Sequence, residues 1–204
     1  MDSINAPVNE APASSGLDAI TAEIIMHRLC AIPNLIDKNI TRTAFSILIS
    51  EYKDYAVGIV DAHGRLISQC SGGLPIFIAN ALSAAVREGL ELYGPGKLQQ
   101  GDVVINNRAA TMGQHLNNVV MYTPIRTSED EQGLFGFFAI VMHWVDVGGT
   151  AVGSSSTTSS TEIFQEGIQY PTMKLMAGGQ SVDDVFRLIE ANTRFPKMLM
   201  GDLE

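Results

Sequence analysis

The chain is short of charge, of cysteine and of basic clusters, and each shortage removes a class of function. Charged residues make up 17% of the 204, against roughly 25% in an average soluble protein. Lys and Arg number 13 against 22 Asp and Glu, for a net charge of −9, and the basic residues form no run or stripe. Nucleic acid needs such a footprint, and so does an anionic membrane surface, so neither partner is expected. No apolar stretch approaches the ~18 residues of a membrane span. The two cysteines, Cys30 and Cys70, lack CxxC spacing and read as reduced structural thiols. There is no GxxxxGK[ST], no strand–GxGxxG–helix, no HExxH and no GxSxG, so no nucleotide, zinc-protease or serine-hydrolase signature is present.

What is present describes a folded chain with a core. Hydrophobic residues are 46%, which excludes disorder for the bulk of it. Low charge on such a chain implies either a large core or a surface covered by partner subunits. Residues 1–16 are rich in Ala, Pro, Ser and Asn and lack the basic start and apolar centre of a signal peptide. They are expected to be a disordered cytoplasmic tail, with residues 17–204 forming the domain.

Asp18 is a natural N-cap for a helix carrying Ile20, Ile24, Met26 and Leu29, with Pro33 expected to interrupt it before a second stretch to Thr43. Tyr55–Val60 and Arg65–Gln69 read as a β-hairpin turning at His63-Gly64. An Ala-rich helix is expected over Ile78–Leu92, stopped by Gly94-Pro95-Gly96. Strands are expected at 101–105, 119–123 and 136–142, the last two joined through the polar turn 128–132. A Gly/Ser/Thr-rich loop then runs from 148 to 160, and loops of that length in compact domains are usually functional. A turn at 177–179, a helix over 182–191 and an end at Gly201–Glu204 complete the pattern. Strands cluster in hairpins, so the expected fold is α+β, a mixed or largely antiparallel sheet with packed helices, completed by partner chains.

Of four histidines, His27 reads as a surface or packing residue of the first helix and His63 as a solvent-exposed turn residue. His115 and His143 each lie beside a strand and have an oxygen ligand three positions on, Asn118 and Asp146. On a continuous strand i and i+3 face opposite sides, so each pair shares an ion only where the strand ends, and Gly148-Gly149 offers such a break. Two imidazoles with one or two oxygens suit Zn, Mn or Fe. The competing reading is two hydrogen-bonded core histidines.

Several segments, in order, resemble the hydantoinase B/5-oxoprolinase family: Asp18–Ile25, Arg42–Ser46, Asp61–Gln69, Gly113–Asn118, His143–Gly149, Thr161–Gln169 and Asn192–Pro196. The resemblance covers everything after the tail. It implies a B-type subunit working with a hydantoinase A-type ATPase, which uses ATP and Mg. Such pairs hydrolyse cyclic amides (hydantoins, 5-oxoproline, lactams) or carboxylate ketones such as acetone. The ATPase phosphorylates a carbonyl-derived oxygen or activates bicarbonate, and the B-type subunit finishes the reaction, often with a divalent metal. Carried over by motif, the expected site is His115, His143, Asn118 and Asp146 as metal ligands, with His115, His143, Asp146 and Arg108 as reactive groups.

Two departures from the family pattern stand out. Members carry Asn-Asp-Pro where this chain has Asn106-Asn107-Arg108-Ala109, and many have Asp at the position of Asn118. Neutral amides hold a hard ion less tightly than carboxylates, and an inward Arg108 would instead hold bicarbonate or phosphate. B-type subunits are also much longer, so this chain reads as the N-terminal portion of one, split or truncated, with the remaining part on another chain. The expected function is ketone carboxylation, with cyclic-amide hydrolysis or a non-catalytic structural role as alternatives.

Overall fold

A computed structural model describes residues 17–72, 75–127, 133–153 and 160–203. The expected tail, the polar turn at 128–132 and the middle of the Gly/Ser/Thr-rich loop lie outside these. Among the described residues, seven strands form one open sheet in the order β2-β1-β5-β4-β3-β6-β7, and every pairing is antiparallel. The strands are β1 (Tyr55–Asp61), β2 (Leu66–Gln69), β3 (Val103–Asn106), β4 (Asn118–Arg126), β5 (Leu134–His143), β6 (Met173–Ala177) and β7 (Gln180–Ser181). Helices are α1 (Ala19–Thr43), α2 (Ile47–Ser50), α3 (Pro75–Tyr93), α4 (Ala109–Met112), α5 (Asp183–Ala191) and α6 (Pro196–Leu203). The fold is α+β, as expected.

Period-two alternation divides the core between the two faces of the sheet. Ala56 and Val60 on β1, Val120 and Tyr122 on β4 and Phe137, Ala139 and Val141 on β5 pack with Ala81, Leu82, Ala85 and Val86 of α3. Their strand neighbours, among them Tyr55, Val57, Val119, Met121 and Met142, join Ile49 of α2, Val185 and Ile189 of α5 and Leu199 of α6 on the opposite face. Gly89 of α3 is where that helix meets the sheet most closely, because a Cβ there would fall on the Tyr122 hydroxyl.

Two elements, α1 and α6, differ from the sequence reading. Helix α1 runs unbroken for 25 residues through Pro33. Proline has no N–H to offer the carbonyl four residues earlier, which is that of Leu29. The Ser68 hydroxyl donates to this carbonyl at 2.8 Å, so β2 satisfies the group that proline frees, and Pro33 is buried in the contact. Helix α1 is also long and apolar enough, by length and composition, to cross a bilayer. That corrects the expectation that no stretch approaches such a length. Finally, α6 replaces the anticipated plain end. Proline suits a first helical turn, where its missing N–H is not needed, and Gly201 lets α6 close on Phe45, whose ring would meet a Cβ at 2.8 Å. Asp202 then accepts from the backbone N–H groups of Phe45 and Ser46 at 2.6 and 3.1 Å.

Candidate functional site

The centre of interest is where β4 begins and β5 ends. Asn118 and His143 are cross-strand partners there, which puts their Cβ atoms about 5 Å apart on one face. Upstream of Asn118, α4 is closed by Gly113 in the left-handed region, φ 69°, where glycine carries no Cβ penalty. The chain then folds tightly, the Asn118 N–H reaching the His115 carbonyl at 3.2 Å. This turn brings the His115 ring to 4.8 Å from that of His143, centroid to centroid, at 67° between planes. Sequence separation of the two gave no reason to expect contact. The hairpin register made it.

His143 is 7% exposed, while His115 is half-buried. Burial depresses the His143 pKa; the charge of Asp54 opposes this and His115 adds to it, leaving the net shift below the usual imidazole value. A neutral imidazole keeps the lone pair that a metal needs. Asp54 was not anticipated as a neighbour. Its backbone carbonyl accepts the His143 N–H at 2.9 Å, a contact made by the segment leading into β1. Asn118 is 3% exposed and donates its amide to Gln114 Oε1 at 3.0 Å, so what it offers an ion is its carbonyl oxygen.

The other two candidates are engaged by other partners. Asp146 lies past the end of β5 with its side chain 1% exposed. Its carboxylate accepts from the Arg194 backbone N–H at 2.5 Å, from Arg194 Nη1 at 2.7 Å and from the Gly148 N–H at 3.1 Å. Arg194 Nη2 also donates to the Gly149 carbonyl at 2.7 Å. Asp146 therefore staples the loop after β5 to the segment before α6. Arg194 sits in a motif read from the sequence, but its partner became visible only in three dimensions.

Arg108 caps α4 without a side-chain bond and pairs with Glu88 at 3.4 Å. Glu88 also accepts from Asn106 at 2.8 Å and from Thr111 at 2.5 Å. Arg108, Glu88 and Thr172 border a cavity of about 450 Å³. The charge that would hold an anion is thus balanced by a carboxylate. Asn107, 0% exposed, donates to the carbonyls of Leu116 and Ile168 at 2.8 and 3.0 Å and accepts from the Tyr170 N–H at 2.6 Å. Two carbonyl oxygens face its amide, so a carboxylate would be repelled there. The amide is what ties the histidine turn to the 168–170 segment.

Among the described residues no group of three His, Cys, Asp or Glu side chains is placed to hold a metal ion. What the fold does bring together is the two imidazoles and, opposite His143 across the β4–β5 ladder, the Asn118 amide. Imidazole nitrogens and an amide oxygen are donors of a kind that a borderline divalent ion accepts.

Comparison with known proteins supplies the family. The family model described as Hydantoinase B/oxoprolinase matches residues 18–204. The chain belongs to this family. An uncharacterized protein of Methanocaldococcus jannaschii is 30% identical over 92% of this chain and 33% of its own length. The caprolactamase subunit beta of Pseudomonas jessenii is 28% identical over 92% of this chain and 31% of its own. Among solved structures, a nucleotide-free acetone carboxylase superposes with TM-score 0.78 at 18% identity, covering 90% of this chain and 24% of that one. The ATP-dependent caprolactamase from Pseudomonas jessenii gives TM-score 0.73 at 24% identity, covering 92% of this chain and 31% of that one. At these identities the likeness shows the fold. The chain spans a third or less of the length of these relatives.

Proposed function

We propose that this family member is the N-terminal third of a B-type subunit in an ATP-dependent enzyme assembly. In this reading His115, His143 and the Asn118 carbonyl hold a divalent ion, Zn, Mn or Fe, at the reaction centre. The observation that carries it is the pair of imidazoles at 4.8 Å, one of them buried beside the Asn118 amide. When bound, such an ion polarises a carbonyl or phosphoryl oxygen. The protein's share is to present two imidazoles side by side from the end of a hairpin, with second contacts fixing their surroundings. The ATPase of the hydantoinase A type, with its ATP and Mg, and the remaining part of the B-type subunit are the partners, and the setting is cytoplasmic.

The substrate is a small molecule with a carbonyl that the ATPase activates through oxygen. Ketone carboxylation is taken first, as for the acetone carboxylase that shares the fold. Hydrolysis of a cyclic amide is the second reading, favoured by the 28% identity to caprolactamase subunit beta. Arg108 lends no weight to carboxylation, since Glu88 already balances it. A third reading, a non-catalytic structural subunit, draws on the same facts: Asp146 is consumed by Arg194, and an amide stands at 118.

The test is elemental analysis of the native assembly beside one carrying His115→Ala and His143→Ala. Loss of about one equivalent of metal per chain, together with loss of substrate-dependent ATP turnover, is the expected result. Unchanged metal and turnover would leave the histidines structural. Labelled bicarbonate incorporation against ring opening separates the two chemistries.

A further inference from the structure

Helix α1 buries only Pro33 and Asp37 along its 25 residues. On its outer side Ile20, Ile24, Ile32 and Leu35 are 71%, 50%, 44% and 62% exposed. An apolar row of that length on a water-facing helix marks a contact surface. At the C-terminal end of α1 lies a cavity of about 510 Å³ bordered by Ile40, Phe45, Ile49, Phe138, Ile140 and Met142. Phe45 stands at its rim, 66% exposed.

Two further facts say what covers this surface. Asp202 pins the end of α6 to the start of α2 through the Phe45 and Ser46 N–H groups, and Gly201 and Asp202 themselves border the cavity. A polypeptide continuing past α6 would therefore leave the fold at the cavity mouth. The matched region is 33% and 31% of two relatives' lengths, so about two-thirds of each has no counterpart here. We infer that the outer side of α1 and the adjoining cavity seat that unmatched portion of a B-type subunit, carried by the same polypeptide or by a separate one. This rests on reading the chain as the N-terminal third of such a subunit. A bilayer fits the surface less well. The inner side of α1 is committed to the sheet through Ser68 and through Tyr55, whose hydroxyl donates to Asp37 at 2.6 Å.

The test is photo-crosslinking in the assembly isolated from its native cells, with p-benzoylphenylalanine in place of Leu35 or of Phe45. Expected are crosslinked peptides from a polypeptide matching hydantoinase B relatives beyond the region matched by this chain. Leu35→Glu and Ile24→Glu, in the Phe45-probe chain, should cut the yield roughly tenfold or more, because an unpaired carboxylate is costly to bury. Both sites are exposed, so the melting curve of the isolated chain should not move. Crosslinks to lipid, to the same region of a second copy, or to an unrelated protein would overturn the inference, as would no crosslink. An assembly that crosslinks as expected but carries no metal at the histidines would lose only the functional reading.

Discussion

Asp146→Asn separates a loop staple from a metal ligand. The substitution keeps one oxygen for Arg194 Nη1 and the Gly148 N–H, both of which use Oδ1. It places an NH2 against the Arg194 backbone N–H, which now donates to Oδ2 at 2.5 Å. Two donors facing each other in a site 1% exposed cost about 1–3 kcal/mol. Loss of the ion pair adds about 1 kcal/mol, discounted because the Arg194 side chain is 46% exposed and water screens it. The sum, about 2–4 kcal/mol, lowers the melting midpoint by roughly 4–16 °C for a chain of this size. Thermal melts of wild type, Asp146→Asn, Arg194→Met and the double variant should show less-than-additive losses, the mark of direct coupling. Metal content should stay at the wild-type level in the assembly carrying Asp146→Asn. An unchanged midpoint with loss of metal would refute the reasoning and return Asp146 to the ligand set.

Three more outcomes follow from buried contacts. Asn107→Asp turns a carboxylate toward the Leu116 and Ile168 carbonyls and should destabilise by about 2–4 kcal/mol in urea unfolding; a neutral result would contradict the assigned amide orientation. Gly89→Ala, which in an ordinary helix interior gains roughly 0.5–1 kcal/mol, should here lose about 1–3 kcal/mol, since the methyl collides with a Tyr122 that is 1% exposed. Asp102 supplies a pH dependence. Burial pushes its pKa up, but Lys174 and the N–H groups of Gln99 and Gly178 outweigh that and hold it below the usual value. A depressed carboxylate pKa gives stability that is full above the unfolded value of 3.8 and is lost as pH falls through the folded one. Asp102→Asn should flatten that part of the acid limb, measured by unfolding midpoints from pH 5 downward.

Local pattern carried the elements because their causes are local. The short, near-continuous apolar runs 119–123 and 136–142 read as strands buried on both faces, Asp18 caps the helix that follows it, and Gly94 stops α3. Ordered motifs also placed the chain in its family. The sequence could not show that α1 survives Pro33, because the hydroxyl that answers the Leu29 carbonyl comes from Ser68, 39 residues away. Nor could spacing show the partners of the candidate residues. His115 and His143 meet because hairpin register sets Asn118 opposite His143. Asp146 is engaged by Arg194, 48 residues on, which supplies three hydrogen-bond donors within 3 Å of it and its loop. Secondary structure follows from neighbours in sequence, which the chain lists in order. The site follows from neighbours in space, and those are decided only when β4 pairs with β5 and the segment before α6 closes over the loop they leave.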